Sequence, residues 1–169
     1  MWPPVGFYPS EKEYYPIYEK IAELKLPIMV HTGYTNVSLT TGKRCAADTI
    51  YAMPLSLDGV IHAFPEINFI LAHGGDPDFA SALLQAYANP NVYINVCGMA
   101  DETGWDARIF KFVKAMAGGC APLSYDKIVW GSDNLGIDFE NYRTLYKNLD
   151  ALDKIPLFFG ETSESLYNL

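Results

Sequence analysis

Short, nearly continuous apolar runs alternate along this chain with stretches whose apolar residues recur every three or four positions. The runs cover 27–31, 68–73, 91–96 and 127–131. Each has strand length, and each is apolar enough to be covered on both faces. Between them, Tyr14, Ile17, Tyr18, Ile21 and Leu24 form one helical stripe, and Leu57, Val60, Ile61 and Phe64 a second. Phe79, Leu83, Leu84 and Tyr87 form a third. Ile109, Phe112, Val113 and Met116 follow, stopped by Gly118-Gly119, and then Tyr142, Leu145, Tyr146, Leu149 and Leu152. A short last helix is predicted over "SESLYNL". Ser10 and Glu13 have capping-box spacing, and Pro16 suits a first helical turn. Asp76-Pro77 reads as a cap followed by proline at the first helical position. Strands alternating with helices predict an α/β fold of parallel (β/α) units, and the stripes read as its core.

The strand ends carry the chemistry. "LPIMVHTG" stops on His31, "FILAHGG" on His73, and "IVWGSD" closes on Asp133. In parallel α/β folds, ligands collect at the carboxyl ends of strands, so these residues converge from distant positions. Imidazoles with a carboxylate suit a borderline divalent ion such as zinc, and they equally suit a proton-transfer set. Any one of them could be structural; three strand ends together argue for a shared site. Cys97 ends the third run and faces the same mouth, either as a substrate contact or, more in keeping with its type, as a small hydrophobe. His62 lies beside a helical stripe and reads as structural. Ser124 and Lys127 spell S-x-x-K and Ser132-Asp133-Asn134 spell S-D-N, but no K-T-G accompanies them and the serine precedes a strand. More than twenty residues separate His31 from the helix near Leu57 without a pattern of their own, which marks a functional or disordered loop.

Composition narrows the partners. The 169 residues are half hydrophobic, which gives one domain a sizeable core. A formal charge of −8 argues against nucleic acid or an anionic membrane and leaves a small-molecule substrate. No apolar run reaches the ~18 residues of a membrane span. The first residues lack a signal-peptide pattern. Three cysteines without a CxxC pair suggest no disulfide framework, so a reducing cytoplasm is expected.

Taken in order, "YPIYEKIAELKLPIMVHTG", "FPEINFILAHGG", "NPNVYINVCG", "KIVWGSDNLG" and "FFGETSESLYNL" resemble the second half of the amidohydrolase-related (β/α)8 barrels. These are metal-dependent hydrolases and decarboxylases. The resemblance implies that His31 is the metal ligand ending strand five, and that His73 is the strand-six residue that polarises or deprotonates water. It implies that Asp133 is the strand-eight carboxylate, which approaches the metal and shuttles a proton. The implied reaction is C–N or C–O hydrolysis, or non-oxidative decarboxylation, with zinc, manganese or magnesium as cofactor. Lys43 and Arg44, in the long loop, read either as holders of a substrate carboxylate or as a solvated basic pair.

The sequence departs from that family in one respect. It contains no H-x-H pair, the first-strand ligands of the family, and its only histidines are His31, His62 and His73. A full barrel needs ~250 residues and eight strands. The expectation is therefore one domain over 1–169, a carboxyl-terminal half of a TIM-like barrel lacking the amino-terminal strands. Its exposed edges would call for a homodimer or a separate amino-terminal half; a flattened doubly wound sheet is the structural alternative. Two ligands are fewer than a zinc site uses, so the chain alone is expected to bind metal weakly. A non-catalytic half-barrel remnant or oligomerisation module is the functional alternative.

Overall fold

Four parallel strands form the centre of the molecule: β1 (Ile28–His31), β2 (Phe69–Ala72), β3 (Val92–Asn95) and β4 (Ile128–Val129). The computed structural model describes residues 1–35, 48–99, 112, 115, 125–131, 133 and 156–167. The strands pair in the order β1-β2-β3-β4, each neighbour parallel. Every strand adds on the same side of the last. That is the winding of a barrel; a doubly wound sheet reverses direction at a switch point.

The pairing places Ile28 beside Phe69 and Phe69 beside Val92, so alternate residues sort onto two faces. One face carries Ile28, Val30, Phe69, Leu71, Val92, Ile94 and Ile128. Against it pack α1 (Tyr15–Glu23), α2 (Asp58–Ala63) and α3 (Phe79–Ala88). The rings of Tyr18 and Phe64 lie 5.5 Å apart and those of Tyr18 and Phe69 6.1 Å, which locks α1 to α2 and β2. Full burial of such side chains stabilises by about 1.5–3 kcal/mol each.

The other face is different. Ile70, Val129 and the partly buried Tyr93 meet Leu166 of α4 (Thr162–Tyr167) there, so the last helix lies opposite the first three. Met29 on this face remains 39% exposed. At the β1 edge, the Met1 ammonium donates to Met29 O (2.7 Å) and Met1 O accepts from His31 N (3.0 Å). The two bonds bracket Val30 as a neighbouring parallel strand would.

Three local expectations change. Ser10 does not cap α1, because a 3-10 turn over Lys12–Tyr14 intervenes. Its hydroxyl instead donates to Ser56 O and accepts from Val60 N, near the start of α2. The cap of α3 is Asp78, whose side chain accepts from Ser81 N, and Pro77 lies in the turn before it. In α1, Tyr18 is buried but Ile17 and Leu24 are exposed, since the helix contacts the sheet along one flank only. Phe112 is buried; the remainder of its stripe and the stripe over 142–152 lie outside the described residues. No described helix is long and apolar enough to cross a membrane.

Candidate functional site

His31 shares the face of Met29, at the carboxyl end of β1. Thr32 then fastens β1 to β2: its buried hydroxyl donates to Ala72 O at 2.6 Å. The chain must next pass close to the turn after β2, and Gly33 permits it with φ 84°; a Cβ there would lie 2.3 Å from Asp76 O. The His31 imidazole hydrogen-bonds the Tyr34 backbone, while its Nε2 is buried with no partner among the described residues. Burial is the main cause that lowers its pKa from 6.5 to about 4. His73 and the amino terminus add to the lowering, and the Tyr34 bond opposes it. His31 is therefore neutral at physiological pH, with a ring nitrogen available to a ligand.

His73 follows β2 directly and opens a 3-10 turn, His73–Gly75, with φ 64°. Its ring meets that of His31 edge-on, the centroids 4.7 Å apart. Its Nδ1 lies 2.9 Å from Cys97 O and 3.5 Å from Cys97 Sγ. A carbonyl oxygen only accepts, so that bond places the hydrogen on Nδ1 and the lone pair on Nε2. Asp133, past β4, also has a left-handed backbone, φ 57°. It reaches the same place: a Cβ built on Gly98 would lie 2.8 Å from Asp133 Oδ2 and 3.4 Å from His73 Nδ1. Ligand atoms of His73, Cys97 and Asp133 all fall within 4.8 Å of one another. Burial pushes the Cys97 thiol up to about 12; hydrogen bonding to the His73 backbone lowers it and the Asp133 charge adds to the rise.

The three strand-end residues read from the sequence thus lie at one end of the sheet. His73 and Asp133 meet at Cys97, and His31 packs against His73. Lys43 and Arg44 lie outside the described residues. His62 sits on the surface of α2, 3.7 Å from Asp58 Oδ2, away from the strand ends. Lys127 donates to Val92 O, Asn89 O and Pro90 O, which occupies the lysine of the S-x-x-K fragment. Asn95 was not singled out in the sequence. Its Oδ1 accepts from Cys97 N at 2.7 Å, and its Nδ2 donates to Trp130 O at 3.3 Å, so it joins the ends of β3 and β4 beneath the cluster. The available signal was a polar residue at an inward-facing position of an otherwise apolar run, "VYINVCG".

The imidazole, thiol and carboxylate of His73, Cys97 and Asp133 are a donor set that fits a divalent ion, and His31 packs against His73 outside that set. The fold and this site define a partial (β/α) barrel with polar groups gathered at its strand ends. The amidohydrolase family model matches residues 3–169, and the chain belongs to that family. A TIM-barrel protein from Bordetella bronchiseptica superposes with TM-score 0.66 at 20% identity, over 95% of this chain and 52% of that one. An amidohydrolase 2 from Bifidobacterium longum subsp. infantis gives 0.56 at 21% identity, over 94% and 56%. Dihydroorotase from Campylobacter jejuni gives 0.60 at 14%, over 97% and 54%. At these identities the likeness is one of fold. A 2-keto-4-carboxy-3-hexenedioate hydratase from Sphingobium sp. (strain NBRC 103272 / SYK-6) is 39% identical over 69 residues, 39% of this chain and 20% of the relative. The chain spans about half the length of these solved structures.

Proposed function

We propose that this chain is the carboxyl-terminal half of a metal-dependent (β/α)8 enzyme acting on a small carboxylated substrate, competent when strands equivalent to an amino-terminal half complete the site. The observation that supports this most is the buried, partnerless Nε2 of His31 at the end of β1, edge-on to His73. His31 and Asp133 would hold the ion, which when bound acts as a Lewis acid and acidifies water. His73, with its hydrogen on Nδ1 held by Cys97 O, presents the Nε2 lone pair as a base for a proton of the attacking water. Asp133, exposed at the mouth, would carry that proton to the leaving group. Lys43 and Arg44 would pair with a substrate carboxylate. C–N or C–O hydrolysis and non-oxidative decarboxylation both suit these roles. The name of the Sphingobium relative adds hydration of a carboxylated unsaturated acid.

The test is complementation. The chain is mixed with the amino-terminal half of an amidohydrolase-family barrel that carries an H-x-H pair, and bound zinc and turnover are measured. Restored metal and turnover, both lost in His31→Ala, are expected. A stable complex that binds no metal would reject the proposal in favour of a non-catalytic remnant.

A further inference from the structure

We propose that Cys97 is a metal ligand, forming with His73 and Asp133 a three-donor site for a zinc-class cation at the ends of β2, β3 and β4. The inference rests on the metal-centred reading above, shares its Asp133 ligand, and in the chain alone takes His73 as a ligand in place of His31.

Thiolate, imidazole and carboxylate are the donor types zinc takes, and a sulfur donor favours zinc, cobalt or cadmium over magnesium. The spacing is already close. Cys97 Sγ and His73 Nδ1 are 3.5 Å apart, and two ligands of a tetrahedral zinc ion with bonds near 2.0–2.3 Å stand roughly 3.3–3.8 Å apart. The thiol also lacks the surroundings of a packing residue. It is 7% exposed, yet among the described residues it joins neither apolar cluster of the core. Its neighbours are an imidazole and a carboxylate.

The backbone is built to hold this arrangement. Asn95 Oδ1 anchors the Cys97 amide, and Gly98 leaves the gap through which Asp133 Oδ2 and His73 Nδ1 approach. His73 and Asp133 both hold left-handed conformations that non-glycine residues rarely adopt, each costing on the order of 1–3 kcal/mol. On binding, the S–H bond breaks, its proton leaves to solvent and an Sγ–metal bond forms without redox change. Holding the cation at Nδ1 breaks the His73 bond to Cys97 O and moves the ring hydrogen to Nε2, so in this state His73 is a ligand and not the water base.

The experiment is a cobalt(II) titration of the reduced, metal-free full chain, followed by absorption. A sulfur-to-cobalt charge-transfer band saturating near about one equivalent is expected. Cys97→Ser should abolish the band and weaken cobalt binding more than ~10-fold. Cys45→Ser and Cys120→Ser should leave it intact. Circular dichroism checks that the variant is folded, and Cys97→Ala replaces it where the serine form is not. Cobalt bound without the band, or a band that survives loss of Cys97, overturns the assignment. If that cobalt is lost in His31→Ala, the metal-centred function still stands. No cobalt binding by the chain alone also overturns the Cys97 site, whereas the proposed function is decided separately by complementation.

Discussion

The two faces of the same four strands have been put to opposite uses. The face covered by α1, α2 and α3 is apolar without interruption, from Ile28 and Val30 through Phe69 and Leu71 to Ile94 and Ile128. The opposite face alternates Met29 with His31 and Tyr93 with Asn95, and its apolar cover is the patch of Ile70, Val129 and Leu166. Because successive side chains of a strand point to opposite sides, one short segment can serve both purposes. The first face supplies burial energy; the second tolerates desolvated polar groups because the first has already ordered the backbone. His31 illustrates the cost, with a buried nitrogen that no group among the described residues satisfies.

The largest effect should come from the packed face. Phe69 is fully buried among Tyr18 and the core of β2, and Phe69→Ala is expected to remove about 3–5 kcal/mol of unfolding free energy. Urea denaturation of the chain measures it. Asn95→Ala should come next. It strands the buried Cys97 amide at a cost of roughly 1–3 kcal/mol and removes one part-buried bond to Trp130 O. If Asn95→Ala proved as damaging as Phe69→Ala, the division between the faces would fail. The cluster would then be part of the core.

The sequence made the packed face legible because burial imposes a period. Strand runs at 27–31 and 68–73 anticipate β1 and β2 to within a residue or two, and Val60, Ile61 and Phe64 fall where the helical stripe put them. His31, His73 and Asp133 were legible for another reason: parallel strands deliver their carboxyl ends to one place, so a polar residue ending an apolar run carries positional information. The site's interior was harder to read. Cys97 resembles a core residue by type, and only its contact with His73 distinguishes it. Asn95 lies inside a run, where one polar residue has no periodic signature. Ser10 misled because its local spacing fits a cap, while its partners, Ser56 and Val60, are more than forty residues away. The side of the sheet taken by α4 is likewise decided by tertiary packing, since its own stripe fits either face.

The smallest effect, and the one that sharpens the comparison most, belongs to His31. In metal-free buffer near neutrality His31→Gln should lower stability by no more than about 1.5 kcal/mol, because it removes one hydrogen bond, to the Tyr34 backbone, while Nε2 has no partner among the described residues. Acid should separate the two proteins. Folded His31 titrates near 4, against an ordinary 6.5, because burial chiefly, then the facing His73 ring and the amino terminus, disfavours its cation. A depressed folded pKa means that the unfolded chain takes up the proton first. The associated stability is present above pH 6.5 and is lost as pH falls through about 4. The urea midpoint of the native chain should therefore drop more steeply than that of His31→Gln between these limits. Carboxylate titration is common to both proteins and cancels in the difference. Parallel midpoints across this range would mean that the imidazole is as well solvated folded as unfolded, and the argument for a poised, unsatisfied ligand at the end of β1 would fall with them.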